Sequence, residues 1–170
     1  MVLATTGADV PGWNGMTRLL TLSALFLAAS VLVSAQAGPA VKADPKAVAR
    51  LEGGIVDCPG CQLQGANLFN TCVKDKDLRR ANFDGANATL MCMSFADFRG
   101  ASFRGTILDA ANLASAKLDG ADITGARTHI TSFAGTDLTR VKGLTQSQLD
   151  AACGDAKTKV PAGMKVHFCS

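Results

Sequence analysis

The chain has 170 residues, 17 Lys and Arg against 14 Asp and Glu, and a formal net charge of +3. That length allows one domain plus an address segment, and the charges are interspersed without a like-charge run, as on a solvated surface and not on a polyanion or polycation reader. With no Tyr, one Trp and 5% aromatic residues, the core must be thin and built from Ala, Leu, Phe and small side chains.

Residues 19–33, LLTLSALFLAASVLV, carry no charge; Arg18 precedes them and Ala35-Gln36-Ala37 follows. A basic flank, a short apolar run and a small-x-small site make a secretory signal peptide over residues 1–37, with cleavage expected after Ala37. The run falls short of the ~20 residues that span a bilayer comfortably, so an uncleaved inner-membrane anchor facing the periplasm is the alternative. Residues before Met16 hold one Asp and no positive charge, which makes Met16 a candidate start. The expected location is periplasmic or secreted, with membrane contact only through this segment. Residues 38–57 then form a linker and an N-terminal cap. Within it, Asp44 and Pro45 suit the N-cap and first turn of a short helix ended by Gly53-Gly54.

From residue 61 to 140 the chain divides into fives without a slip: CQLQG, ANLFN, TCVKD, KDLRR, ANFDG, ANATL, MCMSF, ADFRG, and onward to TDLTR. The third residue is apolar in every window except the one holding Thr128, and the first is Ala, Thr or Cys except at Lys76 and Met91. A period of five fits neither a helix nor a sustained strand. First and third residues lie two apart, so an extended backbone points both inward, and the remaining residues must turn the chain. Repetition of that unit winds a solenoid. Asn67 and Asn87, Cys72 and Cys92, and Asp77 and Asp97 recur at a spacing that stacks them in columns if four pentads complete a coil.

ANLFN, ANFDG, ADFRG, ANLAS and ADITG match the pattern A(D/N)Lxx, and the chain resembles the pentapeptide-repeat family over residues 61–140. The resemblance implies an all-β solenoid: a right-handed quadrilateral β-helix of about four coils, here assigned to residues 58–144. Open ends of a solenoid are weak points and call for caps. Downstream, Thr145-Gln146-Ser147-Gln148 is a capping box, and a helix from there would be stopped by Gly154. Residues 145–170 are therefore expected to be a capping helix and an irregular tail.

Six cysteines in an exported chain point to disulfides. Cys72 and Cys92 should sit one above the other at about 4.8 Å, within the ~4.4–6.8 Å that a disulfide spans between Cα atoms. Cys153 and Cys169 remain as a C-terminal pair. Cys58-Pro59-Gly60-Cys61 places both sulfurs at inward positions, as a structural disulfide or buried thiols; a redox dithiol or half a metal site are the other readings of C-x-x-C. His129 and His167 lack a neighbouring acid, base or nucleophile in the pattern. Asp77, Asp97 and Asp137 belong to the repeat's own Asp/Asn position, where backbone hydrogen bonding explains them. No catalytic, cofactor-binding or metal-binding residues are assigned, and no cofactor is expected.

Phe69, Leu90, Ile107 and Ile130 occupy outward positions on one side and form a candidate interaction patch. On and next to the opposite side Arg79, Arg99 and Arg104 alternate with Asp77, Asp84 and Asp97 as ion-pair ladders. The expected function is that of a non-enzymatic structural or protein-interaction module of the periplasm or cell envelope. Its expected partner is a protein, a second copy of the chain included, and no nucleic acid. The alternative is an envelope thiol-redox protein using Cys58 and Cys61. Some family members mimic DNA and bind gyrase, but that needs a strongly acidic cytoplasmic rod, from which this sequence departs in charge and in its export segment.

Overall fold

The computed structural model describes residues 42–53 and 57–169. The expected signal peptide and its cleavage site lie outside the described residues, as does Gly54 of the first helix stop. Among the described residues no helix is long and apolar enough to cross a membrane. The described residues form one compact unit.

The repeat unit follows from its hydrogen bonds, and the pentad 81–85 shows the scheme. Ala81 N–H donates to Leu78 O at 3.1 Å and closes the turn; Asn82 N–H donates to Cys61 O at 2.8 Å in the coil below. Phe83 and Gly85 N–H donate to Ser102 O and Arg104 O of the coil above, at 2.7 and 2.9 Å. That leaves one donor, the N–H of Asp84, and the Asn82 side chain accepts it at 2.9 Å. The preference for Asn or Asp at the second position has this cause: an unpaired backbone donor at the coil surface would cost about as much as a lost hydrogen bond. The same contact recurs from Arg79 N–H to Asp77, Arg99 to Asp97, Thr124 to Asp122 and Thr139 to Asp137.

Every fifth residue from Gly60 to Gly135 has a left-handed backbone, whether it is glycine, as at Gly65 (φ 66°), or not, as at Ile130 (φ 57°). This is the corner. Parallel bridges pair Gln62 with Asn82, Asn82 with Ser102 and Ser102 with Asp122, so the chain returns upon itself after four pentads. The short strands expected on each side shrink to these single bridged residues, because a left-handed corner every five residues leaves no room for a longer ladder.

First and third side chains fill the interior. Phe83, Phe98 and Phe103 form its aromatic centre, with Phe83 and Phe103 stacked at 4.8 Å and Phe98 edge-on to both. In the window ANATL the third residue is only Ala88, but Met91 at the next first position is fully buried, so the large side chain has moved one site along the core. First-position threonines remain compatible with burial: Thr106, Thr131 and Thr136 hydroxyls donate to Phe83 O, Leu108 O and Leu113 O in the coil below.

Helix α1, Pro45–Glu52, closes the N-terminal end. Asp44 is its N-cap, accepting from Lys46 N–H, and Ala47 and Leu51 are buried. The backbone N–H groups of Ala43 and Asp44 donate to Gln64 O and Gln62 O, which ties the helix to the first coil. Helix α2, Gln146–Ala151, covers the other end with the capping box of Thr145 and Gln148. Gln148 also reaches down: its amide donates to Ile123 O and Ala126 O at 3.0 and 2.9 Å. Thr128, the polar third-position residue, is buried beneath α2 and donates to Gln148 O.

One expectation for the C-terminus is corrected and a second is refined. Helix α2 stops at Ala151, three residues before Gly154, because Ala152 turns extended (ψ −178°). Residues 153–168 are mostly turns and irregular segments, as expected, but short backbone pairings anchor them. Strand β1, Cys153–Gly154, pairs in parallel with β2, His167–Phe168. Cys153 also bridges to Ser132, and Lys159 to Asp137, so the tail adds part of a further coil. Backbone pairing at the open edge, and not apolar periodicity, drives this, which is why the pattern of fives did not reveal it.

Candidate interaction surface and thiol pair

The corner residue explains which apolar side chains face solvent. A left-handed backbone at the fifth position throws its side chain off the coil. Leu90 is 47% exposed, Phe95 54% and Ile130 64%; Phe69, at a fourth position, is 54% exposed. Ile107 departs from the expected patch. It sits at a second position, bridged to Asn87 and Arg127, and is half-buried between these neighbours of its own column. Phe95 was missed, although it holds the same fifth position in MCMSF that Leu90 holds in ANATL. It projects one corner further round, with Lys74 Nζ 5.6 Å from its ring centre. Leu90 and Ile130 share one corner column with Asn70 and Ala110, while Phe69 lies beside the base of that column.

Ion pairs run along three sides of the coil, the patch side among them. Arg79 grips Asp77 and Arg99 grips Asp97 within their own pentads, each at 2.6 Å. Arg104 pairs with Asp122, one coil up, while its N–H donates to Asp84; Arg127 reaches Asp109 in the same inter-coil way. These pairs lower the carboxyls. Asp77 is held to about 2, first by the Arg79 side chain and then by its N–H, and Asp97 is lowered by Arg99. Between them a shallow groove of about 590 Å³ is lined by Pro59, Gly60, Arg79, Arg80, Arg99 and Gly100. Arg79 and Arg99 are already neutralised there, and of the three arginines that line the groove Arg80 has no ion pair among the described residues. His129 and His167 are both exposed.

Of the six cysteines, Cys153 is bonded to Cys169, with Cα atoms 4.9 Å apart, and Cys58 to Cys61, at 5.5 Å. Cys58 is buried where the first coil begins, and Cys61 is half-buried. The Cys72–Cys92 disulfide expected from the register is absent: both residues are free thiols, Cys72 exposed and Cys92 half-buried. They are direct partners in a parallel bridge. Cys92 N–H donates to Thr71 O at 2.9 Å, and Val73 N–H to Cys92 O at 2.8 Å. In a parallel column the Cα–Cβ bonds run side by side, so Cβ atoms keep the strand spacing of about 4.8 Å. A disulfide needs about 3.5–4.5 Å. The register is the expected one; the parallel orientation opposes the bond. Burial, followed by the adjacent Cys72 thiol, pushes the Cys92 thiol up.

Residues 61–94 and 92–127 match the model of pentapeptide repeats, in eight copies. No curated protein matches the chain. Among solved structures, the chain is similar to a pentapeptide repeat protein, Rfr23, from the cyanobacterium Cyanothece 51142. Identity is 26% and the TM-score 0.48, over 59% of this chain and 64% of that one. It is also similar to QnrB1, a plasmid-mediated fluoroquinolone resistance protein, at 16% identity and a TM-score of 0.41, over 63% of this chain and 58% of that one. A pentapeptide repeat protein of the Arabidopsis thaliana thylakoid lumen shares 25% identity with a TM-score of 0.27, over 70% and 66% of the two chains. The chain thus spans less than two thirds of the length of each of these relatives.

Proposed function

For a chain that belongs to the pentapeptide-repeat family, a fold that carries no chemistry by itself, we propose the role of a non-enzymatic, exported protein-binding module. Its frame is the right-handed, four-sided coil that membership implies. The observation that carries the proposal is the set Leu90, Phe95 and Ile130, bulky apolar residues on exposed left-handed corners. At such a corner a branched or bulky L-residue is strained by about 1–2 kcal/mol, and its apolar surface stays in water. Glycine or asparagine removes both costs, and the chain uses them at Gly85, Gly105 and Asn70. Strain and exposure together, kept at the same residues, fit a surface that is buried only in a complex. Phe69 extends that surface.

Export is supported by the apolar 19–33 segment with its Ala35-Gln36-Ala37 site and by two disulfides in a small domain. Fractionation with N-terminal sequencing tests it: a mature end at Gly38 outside the cytoplasm is expected, and a cytosolic chain starting at Met1 or Met16 sinks it. The binding role is tested with the combined variant Phe69→Ser, Leu90→Gly, Ile130→Gly. It should melt no lower than the wild type and lose its crosslinked protein partner, or its self-association where the partner is a second copy. An unchanged partner set in the folded variant refutes the surface.

A further inference from the structure

We propose that Cys72 and Cys92 form a two-coordinate binding site for a soft, closed-shell monovalent cation of the Cu(I) class. The two residues are register-opposed in a parallel bridge, and the flanking backbone bonds, Cys92 N–H to Thr71 O and Val73 N–H to Cys92 O, hold them there. Their side chains leave the coil side by side at the strand spacing of about 4.8 Å. That is too wide at Cβ for a disulfide, but two metal–sulfur bonds of about 2.3 Å placed in line span about 4.6 Å. With the two side chains parallel, their sulfurs can keep a spacing close to the one that a linear S–metal–S unit spans. A rigid coil supplies it without rearrangement of the backbone.

The chemistry selects the ion. Thiolate sulfur prefers soft cations. Among the described residues no third His, Cys, Asp or Glu joins the pair to make a larger metal cluster, so the donor set is the two sulfurs and suits linear coordination over tetrahedral zinc. Met91 and Met93 flank Cys92 but are fully buried on the inner side of the coil, and their thioethers face away from the site. Exposed Cys72 gives the ion an entry from solvent, and half-buried Cys92 shields one side of it. On binding, two S–H bonds break and two S–Cu bonds form, two protons go to water, and the complex carries one negative charge. No electron is transferred. The other four cysteines are already consumed in disulfides and do not compete.

The test uses the full folded chain, disulfides intact, titrated anaerobically with Cu(I) against a chromophoric competitor. One Cu(I) per chain is expected, with a two-sulfur first shell by X-ray absorption, and bound Cu(I) should protect both thiols from alkylation. Cys72→Ser and Cys92→Ser should each fold, since Ser102 and Ser132 already occupy second positions. Loss of a direct ligand should cost more than the roughly 10–100-fold seen for outer-shell partners. Wild-type affinity no higher than that of the double serine variant overturns the site. So does a single variant that keeps wild-type affinity, or a Cys72–Cys92 disulfide formed by mild oxidant in the folded chain.

Discussion

Asp155 Oδ1 accepts from the backbone N–H of Gly135 at 2.8 Å, in the place where a carbonyl of the next coil would stand if the solenoid continued. In the complete coils the fifth-position N–H finds such a carbonyl, as Gly85 finds Arg104 O. At the last coil a side chain substitutes for the missing backbone. The same carboxylate accepts from Lys157 and Thr158 N–H, so one group ends the ladder and shapes the tail that covers it.

Asp155→Ala should therefore lower the melting temperature, and amide exchange should speed up at Gly135 and Thr158 ahead of the central coils. Asp155→Asn keeps an acceptor and should recover part of the loss. Exchange that rises uniformly along the rod, with no focus at the C-terminal end, would contradict this role.

Acid should loosen the rod in a defined window. Asp77 titrates at about 2 against an ordinary 3.8. Asp109 is lowered by Arg127, Asp122 by Thr124, Asp137 by Thr139 and Asp155 by the Gly135 N–H. A carboxyl with a lower pKa when folded stabilises the fold above its unfolded value, and that contribution is lost as pH falls through the folded value. The melting temperature should be flat above about pH 5 and fall as pH passes from 3.8 toward about 2. Circular dichroism melts across that range measure it, with Asp77→Asn expected to show a shallower decline.

Corner strain can be exchanged between sites. Ile130→Gly should raise stability by about 1–2 kcal/mol, because it removes a branched residue from a left-handed backbone and little packing at 64% exposure. Gly85→Ile should lower it by a similar amount, since a Cβ at Gly85 meets nothing within 4 Å and only the φ of 65° opposes it. Urea unfolding of the two variants gives both signs. Equal and negligible shifts would mean that the corners are not strained.

The Cys153–Cys169 bond closes 16 residues around the capping end. Constraint of that loop in the unfolded chain stabilises by about 3 kcal/mol, so the double serine variant should unfold at correspondingly lower urea. It should also release β2 and the Ser132–Cys169 contact, visible as faster exchange at Cys169 N–H, which donates to Gly154 O. A variant as stable as the parent would show that the helix α2 contacts suffice without the bond.

What the sequence by itself determined is the coil. Inward first and third residues, an Asn or Asp for the fourth N–H, and a corner at the fifth are local requirements, met by each pentad independently and therefore visible as a period. From that period came the columns and the stacked cysteines, while helix-end signals outside it marked the two caps. What only the tertiary structure decided lies where periodicity stops or where direction matters. The tail pairs Cys153 with Ser132 and with His167 through backbone groups that any residue carries, so no side-chain pattern announced it. Ile107 is sheltered by Asn87 and Arg127 in neighbouring coils, and Phe95 is thrown outward by its backbone. Cys72 and Cys92 became register partners as expected but in parallel strands, because spacing along a chain encodes which residues meet and not the angle at which their side chains do.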